Sequence, residues 1–194
     1  MADKIDVPNV MTPKFRVSFP NVFRPGKPVD PTKAGKYSVT MLFDKDANLE
    51  PLKKAMVDFM TKKFGPNQSS WPKLPRNPFR DQGEKTFEGY VAGCKFINAT
   101  SNTKPGLVDA QNNDIINEAD FYPGCYARAT VRPFWYDTAG NKGVAFGLQN
   151  IQKLADGEPL GGRISASKEF EPVAPAGAAA SGRPAKAGKP HPRT

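Results

Sequence analysis

The first half of the chain carries two segments in which apolar and polar side chains alternate. Residues 14–19 and residues 36–43 both place large apolar side chains at every second position. A period of two is typical of a strand that buries one face, so the pattern predicts two neighbouring β-strands. We expect the first strand to end at Pro20, which has no N–H for a strand ladder. The predicted inward side chains are Phe15, Val17, Phe19, Tyr37, Val39, Met41 and Phe43.

Helical spacing replaces this alternation in residues 49–64. Pro51 fits the first turn of a helix, where its missing N–H costs nothing, and Gly65 followed by Pro66 ends the pattern. The apolar stripe consists of Leu52, Met56, Phe59 and Met60. We therefore predict one central helix with a buried stripe and a lysine-rich solvent face.

Three later segments complete the predicted β-structure, at residues 89–100, 124–136 and 142–154. The last two are separated by a short polar turn and are expected to pair as a hairpin. A mainly β chain with about five strands, one helix and long loops fits a small Greek-key barrel. An open α+β sheet is the alternative that the pattern leaves.

The composition changes near residue 171. From residue 174 onward no bulky apolar side chain occurs, and Pro, Ala and Gly dominate. Such a segment cannot form a packed core, so we predict a disordered tail over residues 172–194. The remaining chain fits one domain over residues 14–171, preceded by an N-terminal extension over residues 1–13. The charged residues of the tail are all basic: Arg183, Lys186, Lys189 and Arg193.

The charge balance is strongly basic, with 28 Lys and Arg against 19 Asp and Glu and a formal net charge of +9. This excess favours a polyanionic partner, and nucleic acid is the first candidate. His191 is the single histidine and lies in the tail, so a Ser-His-Asp or Cys-His mechanism has no base in the domain. Cys94 and Cys125 are too few for a structural zinc site. We predict no catalytic residue, no metal and no other cofactor.

No apolar run in the chain approaches the length of a membrane span, and the first residues lack the apolar core of a signal peptide. We therefore expect no membrane partner and a cytoplasmic location.

Within residues 124–136 the alternation separates two kinds of side chain. One face carries small apolar residues, and the other consists of Tyr126, Arg128, Thr130 and Arg132. Unpaired bases stack on aromatic rings while guanidinium groups meet phosphates, so the second face predicts single-stranded nucleic acid as the ligand. The alternative, with equal weight, is that Tyr126 packs against a loop and the arginines are simply solvated.

Other aromatic residues flanked by positive charge extend the candidate site. Trp71 lies in a long basic loop together with Arg76 and Arg80, and Trp135 lies in the strand that carries Tyr126. Phenylalanines at inward strand positions are expected to be core residues instead.

Residues 15–23 (FRVSFPNVF) and residues 140–163 (GNKGVAFGLQNIQKLADGEPLGGR) are the most specific parts of a resemblance that covers nearly the whole domain. The chain resembles the phage-encoded single-stranded DNA-binding proteins of replication and recombination. The resemblance implies an OB-fold that coats single-stranded DNA without sequence preference, without a cofactor and without catalysis, in the cytoplasm of an infected bacterial host. It points to these residues as DNA contacts: Lys36, Tyr37, Lys95, Lys104, Tyr122, Tyr126, Arg128, Tyr136, Lys142 and Arg163.

The tail departs from this family, in which many proteins end in an acidic segment that recruits replication proteins. A basic tail is expected to add phosphate contacts and to allow binding of duplex DNA. Phage replication proteins and, through unpaired strand edges, a second copy of the chain are further candidate partners.

Two other functions stay open. One is the organisation of duplex DNA, driven by the basic tail. The other is a metal-dependent nuclease that would use the acidic residues Asp109, Asp114, Glu118 and Asp120.

Replacing Tyr126 with Ala tests the predicted stacking face. We expect affinity for single-stranded DNA to fall by about 1 to 3 kcal/mol, the contribution of one stacked base, in an anisotropy titration. A variant that loses only thermal stability would assign Tyr126 to the core.

Overall fold

The computed structural model describes residues 5, 7–28, 30–73, 77–138 and 141–161. The predicted tail and two candidate contacts, Arg76 and Arg163, lie outside these described residues. Within them the chain is mainly β, with eight strands and one α-helix. The elements are β1 (Val10–Met11), β2 (Phe15–Asn21), β3 (Tyr37–Phe43), α1 (Glu50–Phe64), β4 (Arg80–Asp81), β5 (Lys95–Ser101), β6 (Gly106–Val108), β7 (Tyr126–Thr138) and β8 (Asn141–Ala155).

Five of these strands close into a barrel. β2 pairs antiparallel with β3, and β3 pairs antiparallel with β5. β5 then pairs parallel with β8, which forms the predicted antiparallel hairpin with β7, and β7 returns to pair with β2. This circuit is the five-stranded Greek-key barrel of the OB-fold. It confirms the predicted fold class and excludes the open sheet.

The barrel interior follows the predicted alternation. Phe15, Met41 and Phe146 are at most 1% exposed and fill the centre. β7 contributes only small inward side chains, because the large rings from the other strands occupy the space opposite them. These small inward residues, including the one just before the strand, are Cys125, Ala127, Ala129 and Val131. Burial raises the pKa of the Cys125 thiol, so the side chain is a neutral packing group.

Helix α1 confirms the predicted helix and packs against β1 and β7. Leu52 joins the barrel core, as its place in the apolar stripe requires. Phe59 and Met60 instead form a second apolar cluster with Val7 and Val144. The helix therefore fixes the outer half of the β7–β8 hairpin to the rest of the domain.

The inward prediction for Phe19 is wrong. The register of β2 against β3 shifts between Ser18 and Asn21, and the strand runs through Pro20 instead of ending there. Phe19 has a φ of 43°, a left-handed conformation that is strained for a residue with a Cβ. The irregularity turns the side chain out of the barrel, where 52% of it is exposed.

The strand predicted over residues 89–100 is shorter than expected. β5 begins only at Lys95, and the preceding residues form turns. Gly89 and Gly93 have φ values of 80° and 84°, a conformation that interrupts a strand ladder.

Replacing Phe146 with Ala tests the barrel core. The ring is 0% exposed and packs against Phe79 with 5.8 Å between ring centroids. The cavity left behind should lower the free energy of unfolding by about 3 to 5 kcal/mol in denaturant titration. Ile116, which is 86% exposed, is the control, and its replacement with Ala should change stability by less than about 0.5 kcal/mol. Equal effects of the two substitutions would contradict this core.

Candidate nucleic-acid interface

One row of side chains crosses the outer face of the sheet. Tyr126 of β7 lies opposite Arg16 of β2, which lies opposite Leu42 of β3. Leu42 in turn lies opposite Phe96 of β5, and Phe96 lies opposite Arg80 of β4. Paired positions share one face of a sheet, so the row brings aromatic and basic residues that are distant in sequence onto one surface.

Small polar side chains occupy the next outward positions of the same strands. We call Ser18, Ser38, Thr40, Asn98 and Thr100 the polar floor. Thr40 is aligned with Ser18 on one side and with Asn98 on the other, and its hydroxyl donates a 2.8 Å hydrogen bond to Asn98 Oδ1. Ser18 is only 4% exposed, but the other four side chains are accessible and short, so a ligand can approach the strands closely at their positions.

The connection between β4 and β5 folds back over this outer face and is anchored by Gln82, which is 2% exposed. The Gln82 amide nitrogen donates to the carbonyl oxygens of Phe43 at 2.9 Å and Lys95 at 2.8 Å. The amide oxygen accepts from the N–H of Val91 at 3.0 Å. Three satisfied bonds inside the protein fix residues 82–94 to the ends of β3 and β5.

Asp81 is a second anchor of this connection. Its carboxylate accepts from the backbone N–H groups of Gly83 and Gly93, at 2.8 Å and 3.1 Å, and forms a 3.2 Å ion pair with Lys95. The two backbone bonds, followed by the bond from Lys95, hold the pKa of Asp81 below its ordinary value. The predicted contact Lys95 is therefore already engaged with a carboxylate.

The connection and the bulge of β2 together build a line of aromatic rings, Phe19, Phe87, Tyr90 and Phe96, which we call the aromatic ridge. Neighbouring ring centroids are 5.0, 5.5 and 5.9 Å apart, and each pair meets edge to face. Phe19 and Phe87 are 52% and 48% exposed. Because the two exposed rings touch each other, they form a continuous apolar patch, which is typical of a binding surface.

Tyr90 holds the middle of the ridge in place. Its hydroxyl shares a 3.3 Å hydrogen bond with the Ser18 hydroxyl on β2, while its ring packs on Phe96 of β5. The side chain therefore spans β3 between these two strands, where Leu42 is buried. Burial raises the pKa of the Tyr90 hydroxyl, and the bond to Ser18 opposes that shift.

Arg80 lies at the β4 end of the ridge. Its guanidinium carbon is 4.9 Å from the centroid of the Phe96 ring, a cation–π contact. Its Nε and Nη2 both donate to Glu84, and this bond from Arg80 lowers the pKa of the Glu84 carboxyl. The predicted contact Arg80 is thus held in a fixed orientation beside an aromatic ring.

On the β7 side, residues 157–161 lie across the same outer face. Arg16 donates from Nη2 to the carbonyl oxygen of Glu158 at 2.7 Å. The N–H of Gly161 donates to Glu88 Oε2 at 3.0 Å, which joins this segment to the ridge connection. Gly124 and Gly157 approach each other so closely that a Cβ on either would meet the backbone of the opposite segment.

The face predicted around Tyr126 exists, but its side chains are partly engaged. The Tyr126 ring is half-buried, lies against Gly157 and has the Lys14 ammonium 5.2 Å from its centroid. Arg128 donates from Nε to Gln152 Oε1 at 2.8 Å, and Arg132 donates from Nε to Asn9 Oδ1 at 3.1 Å.

Other predicted contacts lie at three further places. Tyr122 is hydrogen bonded to Asp156 and Gly157 under the end of β8. Lys36, Tyr37 and Lys104 lie where β3 begins and β5 ends, because Tyr37 is aligned with Ser101 and the Lys104 ammonium is 5.8 Å from the Phe23 ring. Tyr136 and Lys142 lie near the tip of the β7–β8 hairpin.

Trp71 and Trp135 both pack against the second apolar cluster. Trp71 is half-buried and donates from Nε1 to the carbonyl oxygen of Gly65 at 2.8 Å. Trp135 is also half-buried and meets Phe64 with 5.1 Å between ring centroids. Both indoles therefore help to attach the helix and the hairpin to each other.

The acidic connection before β7 forms turns. Asp109 accepts from the Asn113 side-chain amide and from two backbone N–H groups, bonds that lower the pKa of its carboxyl. Glu118 forms a 3.2 Å ion pair with Arg24. Across the described ranges, no three His, Cys, Asp or Glu side chains are grouped as a set of metal ligands. In the same ranges, no helix is long and apolar enough to cross a bilayer.

Phe19, Phe87 and Tyr90 are absent from the predicted contacts. The alternation in β2 predicts Phe19 in the core. Pro20, which has no N–H for a strand ladder, is the feature of the sequence that marks where this alternation can break. Phe87 and Tyr90 flank Glu88 and Gly89, so a solvent-facing turn between them could have been inferred.

The barrel is closed and five-stranded, and its outer face at β3 and β5 carries aromatic and polar side chains. These features define an OB-fold protein of the nucleic-acid-binding class. The chain belongs to the family described as Enterobacter phage Enc34, ssDNA-binding protein, whose model matches residues 8–180. This membership confirms the resemblance to phage-encoded single-stranded DNA-binding proteins.

The chain is also similar to individual proteins. The protein p50 of Acyrthosiphon pisum secondary endosymbiont phage 1 is 29% identical over 166 residues, which cover 80% of this chain and 89% of p50. The single-stranded DNA-binding protein of bacteriophage Enc34, solved in complex with ssDNA, superposes with a TM-score of 0.64 at 21% identity, over 79% of this chain and 89% of that one. The single-stranded DNA-binding protein gp2.5 of bacteriophage T7 gives 0.55 at 13% identity, over 89% of this chain and 100% of that one. These likenesses to solved structures establish the fold.

Replacing Gln82 with Leu tests the anchor of the ridge. Leucine keeps the bulk of the side chain but removes the amide donors to Phe43 and Lys95 and leaves the Val91 N–H without its acceptor. We expect a loss of about 1 to 3 kcal/mol in unfolding free energy and faster hydrogen exchange in residues 85–94. Gln68 is exposed, so Gln68→Leu is the control and should change neither quantity. Unchanged exchange in the Gln82 variant would show that the amide does not hold the connection.

Proposed function

We propose that the protein binds single-stranded DNA, without sequence preference along most of the strand, on the outer face formed by the aromatic ridge and the polar floor. The observation that carries the proposal is the ridge itself. Its rings belong to elements that are fixed independently, and two of them are about half exposed. Every base has a π-face, so bases of any sequence stack on such rings, for about 1 to 3 kcal/mol each.

The cations around this face suit the phosphates of the same strand. Arg80 lies at one end of the ridge, and Lys36 and Lys104 lie where the polar floor ends at the start of β3. A backbone that crosses the floor passes between these ends while its bases turn toward the ridge. Duplex DNA hides its base faces, so this arrangement favours a single strand.

The patch around Tyr126 is proposed as an extension of the interface. Tyr126 shares the outward row with Phe96, but residues 157–161 lie between it and the ridge. Stacking on Tyr126 therefore uses the exposed part of its ring only. Lys14 and Arg128 supply positive charge at this end.

The comparisons support the same function. The Enc34 protein is described as a single-stranded DNA-binding protein and is solved with ssDNA, and the T7 protein carries the same description. We infer that this chain acts likewise, as a non-catalytic binding protein in phage DNA replication and recombination within the cytoplasm of an infected host.

Replacing Phe19 and Phe87 with Ala, singly, tests the proposed surface. Each substitution should weaken binding of a fluorescein-labelled single strand of mixed sequence by about 5- to 150-fold, the equivalent of 1 to 3 kcal/mol. Anisotropy titration measures the affinity, and thermal unfolding shows whether the fold is intact. Ile116→Ala, which removes an even more exposed apolar group from another surface, should bind as the unsubstituted protein does.

The same titration separates the alternatives. Duplex DNA of equal length should bind more weakly than the single strand, and the single-strand affinity should fall with salt because phosphate contacts release counterions. Equal affinity for duplex, with no effect of either phenylalanine substitution, would contradict the proposal and favour a charge-driven duplex binder.

A further inference from the structure

A recess opens beside the polar floor at the point where the barrel strands separate. β5 and β8 pair only at two positions, Ala99 with Phe146 and Thr100 with Gly147. Before these positions the strands diverge and leave a recess of about 130 Å³. It is lined by Asn77, Pro78, Arg80, Asn98, Tyr136, Val144 and Ala145.

The recess is continuous with the proposed DNA-binding face. Asn98 belongs both to the recess and to the polar floor, and Arg80 belongs both to the recess and to the end of the aromatic ridge. A DNA strand that crosses the polar floor therefore passes the mouth of the recess. The recess is of a size to take one base and does not suit a longer ligand.

The walls of the recess suit a flat ring. The Tyr136 ring lies over Gly143, where a Cβ would come within 3.1 Å of the tyrosine hydroxyl, so the glycine lets the ring lie close to the hairpin. Pro78 and Ala145 supply further apolar surface. A base between these groups would stack on one face and contact aliphatic carbon on the other.

The polar groups of the recess are mainly hydrogen-bond donors. Asn98 Oδ1 already accepts from Thr40, and Asn77 Oδ1 already accepts from the N–H of Phe79 at 3.0 Å. Within the described part of the chain, neither amide nitrogen has a partner, so each –NH₂ group is available to a ligand. A bound base must therefore offer acceptors at its edge.

We propose that this recess is a subsite for one pyrimidine base that presents carbonyl oxygens, namely thymine, and that Asn77 and Asn98 determine this preference. The inference rests on the proposed function, because the recess receives its base from the strand bound on the polar floor. Thymine offers carbonyl oxygens to the two amide groups, whereas cytosine places an amino group where thymine has one of these oxygens. The small volume of the recess, about 130 Å³, favours a pyrimidine, the smaller of the two base classes.

The test compares oligothymidylate with oligocytidylate of equal length, at one salt concentration, by anisotropy. Asn98→Asp and Asn77→Asp each keep the oxygen that accepts from Thr40 or from the Phe79 N–H. Each replaces the free amide –NH₂ group with a negatively charged acceptor oxygen. Each should lower the ratio of thymidylate to cytidylate affinity by about fivefold or more, the equivalent of one lost base contact.

Asn48→Asp is the matched control. Asn48 is exposed, does not line the recess and also uses its Oδ1 to accept a backbone N–H, that of Glu50 at 3.1 Å. The Asn48→Asp substitution introduces the same negative charge. It should therefore weaken binding of oligothymidylate and oligocytidylate equally and leave the ratio of the two affinities unchanged.

The outcomes separate the subsite from the proposed function. If the unsubstituted protein binds neither strand, the proposed function itself fails. If it binds both and the Asn77 and Asn98 variants keep the same ratio as the Asn48 variant, the protein binds DNA but the recess does not select a base. A ratio that falls only in the recess variants is the result that supports the subsite.

Discussion

Closure of the five-stranded barrel is the constraint on which the rest of the structure depends. Once β7 pairs with both β8 and β2, every second side chain of these strands must face outward. The interior takes the large rings of Phe15, Phe43 and Phe146, so the outward positions do not have to fill the barrel core. The chain uses them for short polar groups in one zone and for aromatic and basic groups in the next. The candidate interface is thus a consequence of how the core is divided among the strands.

Two local features convert this face into a binding surface. The irregularity of β2 turns Phe19 outward at the cost of a left-handed backbone conformation, and such strain persists only where surrounding contacts enforce it. The buried amide of Gln82 holds the returning connection so that Phe87 and Tyr90 meet Phe19 and Phe96. Neither feature adds to the barrel core. Both create rings whose positions are set before a ligand arrives, which lowers the entropy cost of binding.

Much of the fold could be predicted from the sequence, because periodicity reports burial directly. The alternation of β3 and β7, the helix with its proline in the first turn and the hairpin all appear where the pattern places them. The site could be predicted less well. Phe19 follows the inward pattern and leaves it only because of a register shift, and Tyr90 lies in the ridge because Gln82 anchors a connection through backbone groups far away in sequence. The basic loop around Trp71 predicts a DNA contact. The end of the helix, against which the indole packs, comes close to it only in the folded chain.

Photo-crosslinking tests the central claim most directly. A single strand that carries 5-iodouracil at successive positions would be irradiated in complex with the full chain, and the crosslinked residues would be identified by mass spectrometry. Halogenated bases crosslink preferentially to the aromatic rings on which they stack. We expect crosslinks at Phe19, Phe87 and Tyr90, with weaker ones at Tyr126 and Tyr136. Crosslinks confined to residues 172–194, or to Trp71 and Trp135, would contradict the account, because the strand would then bind away from the ridge.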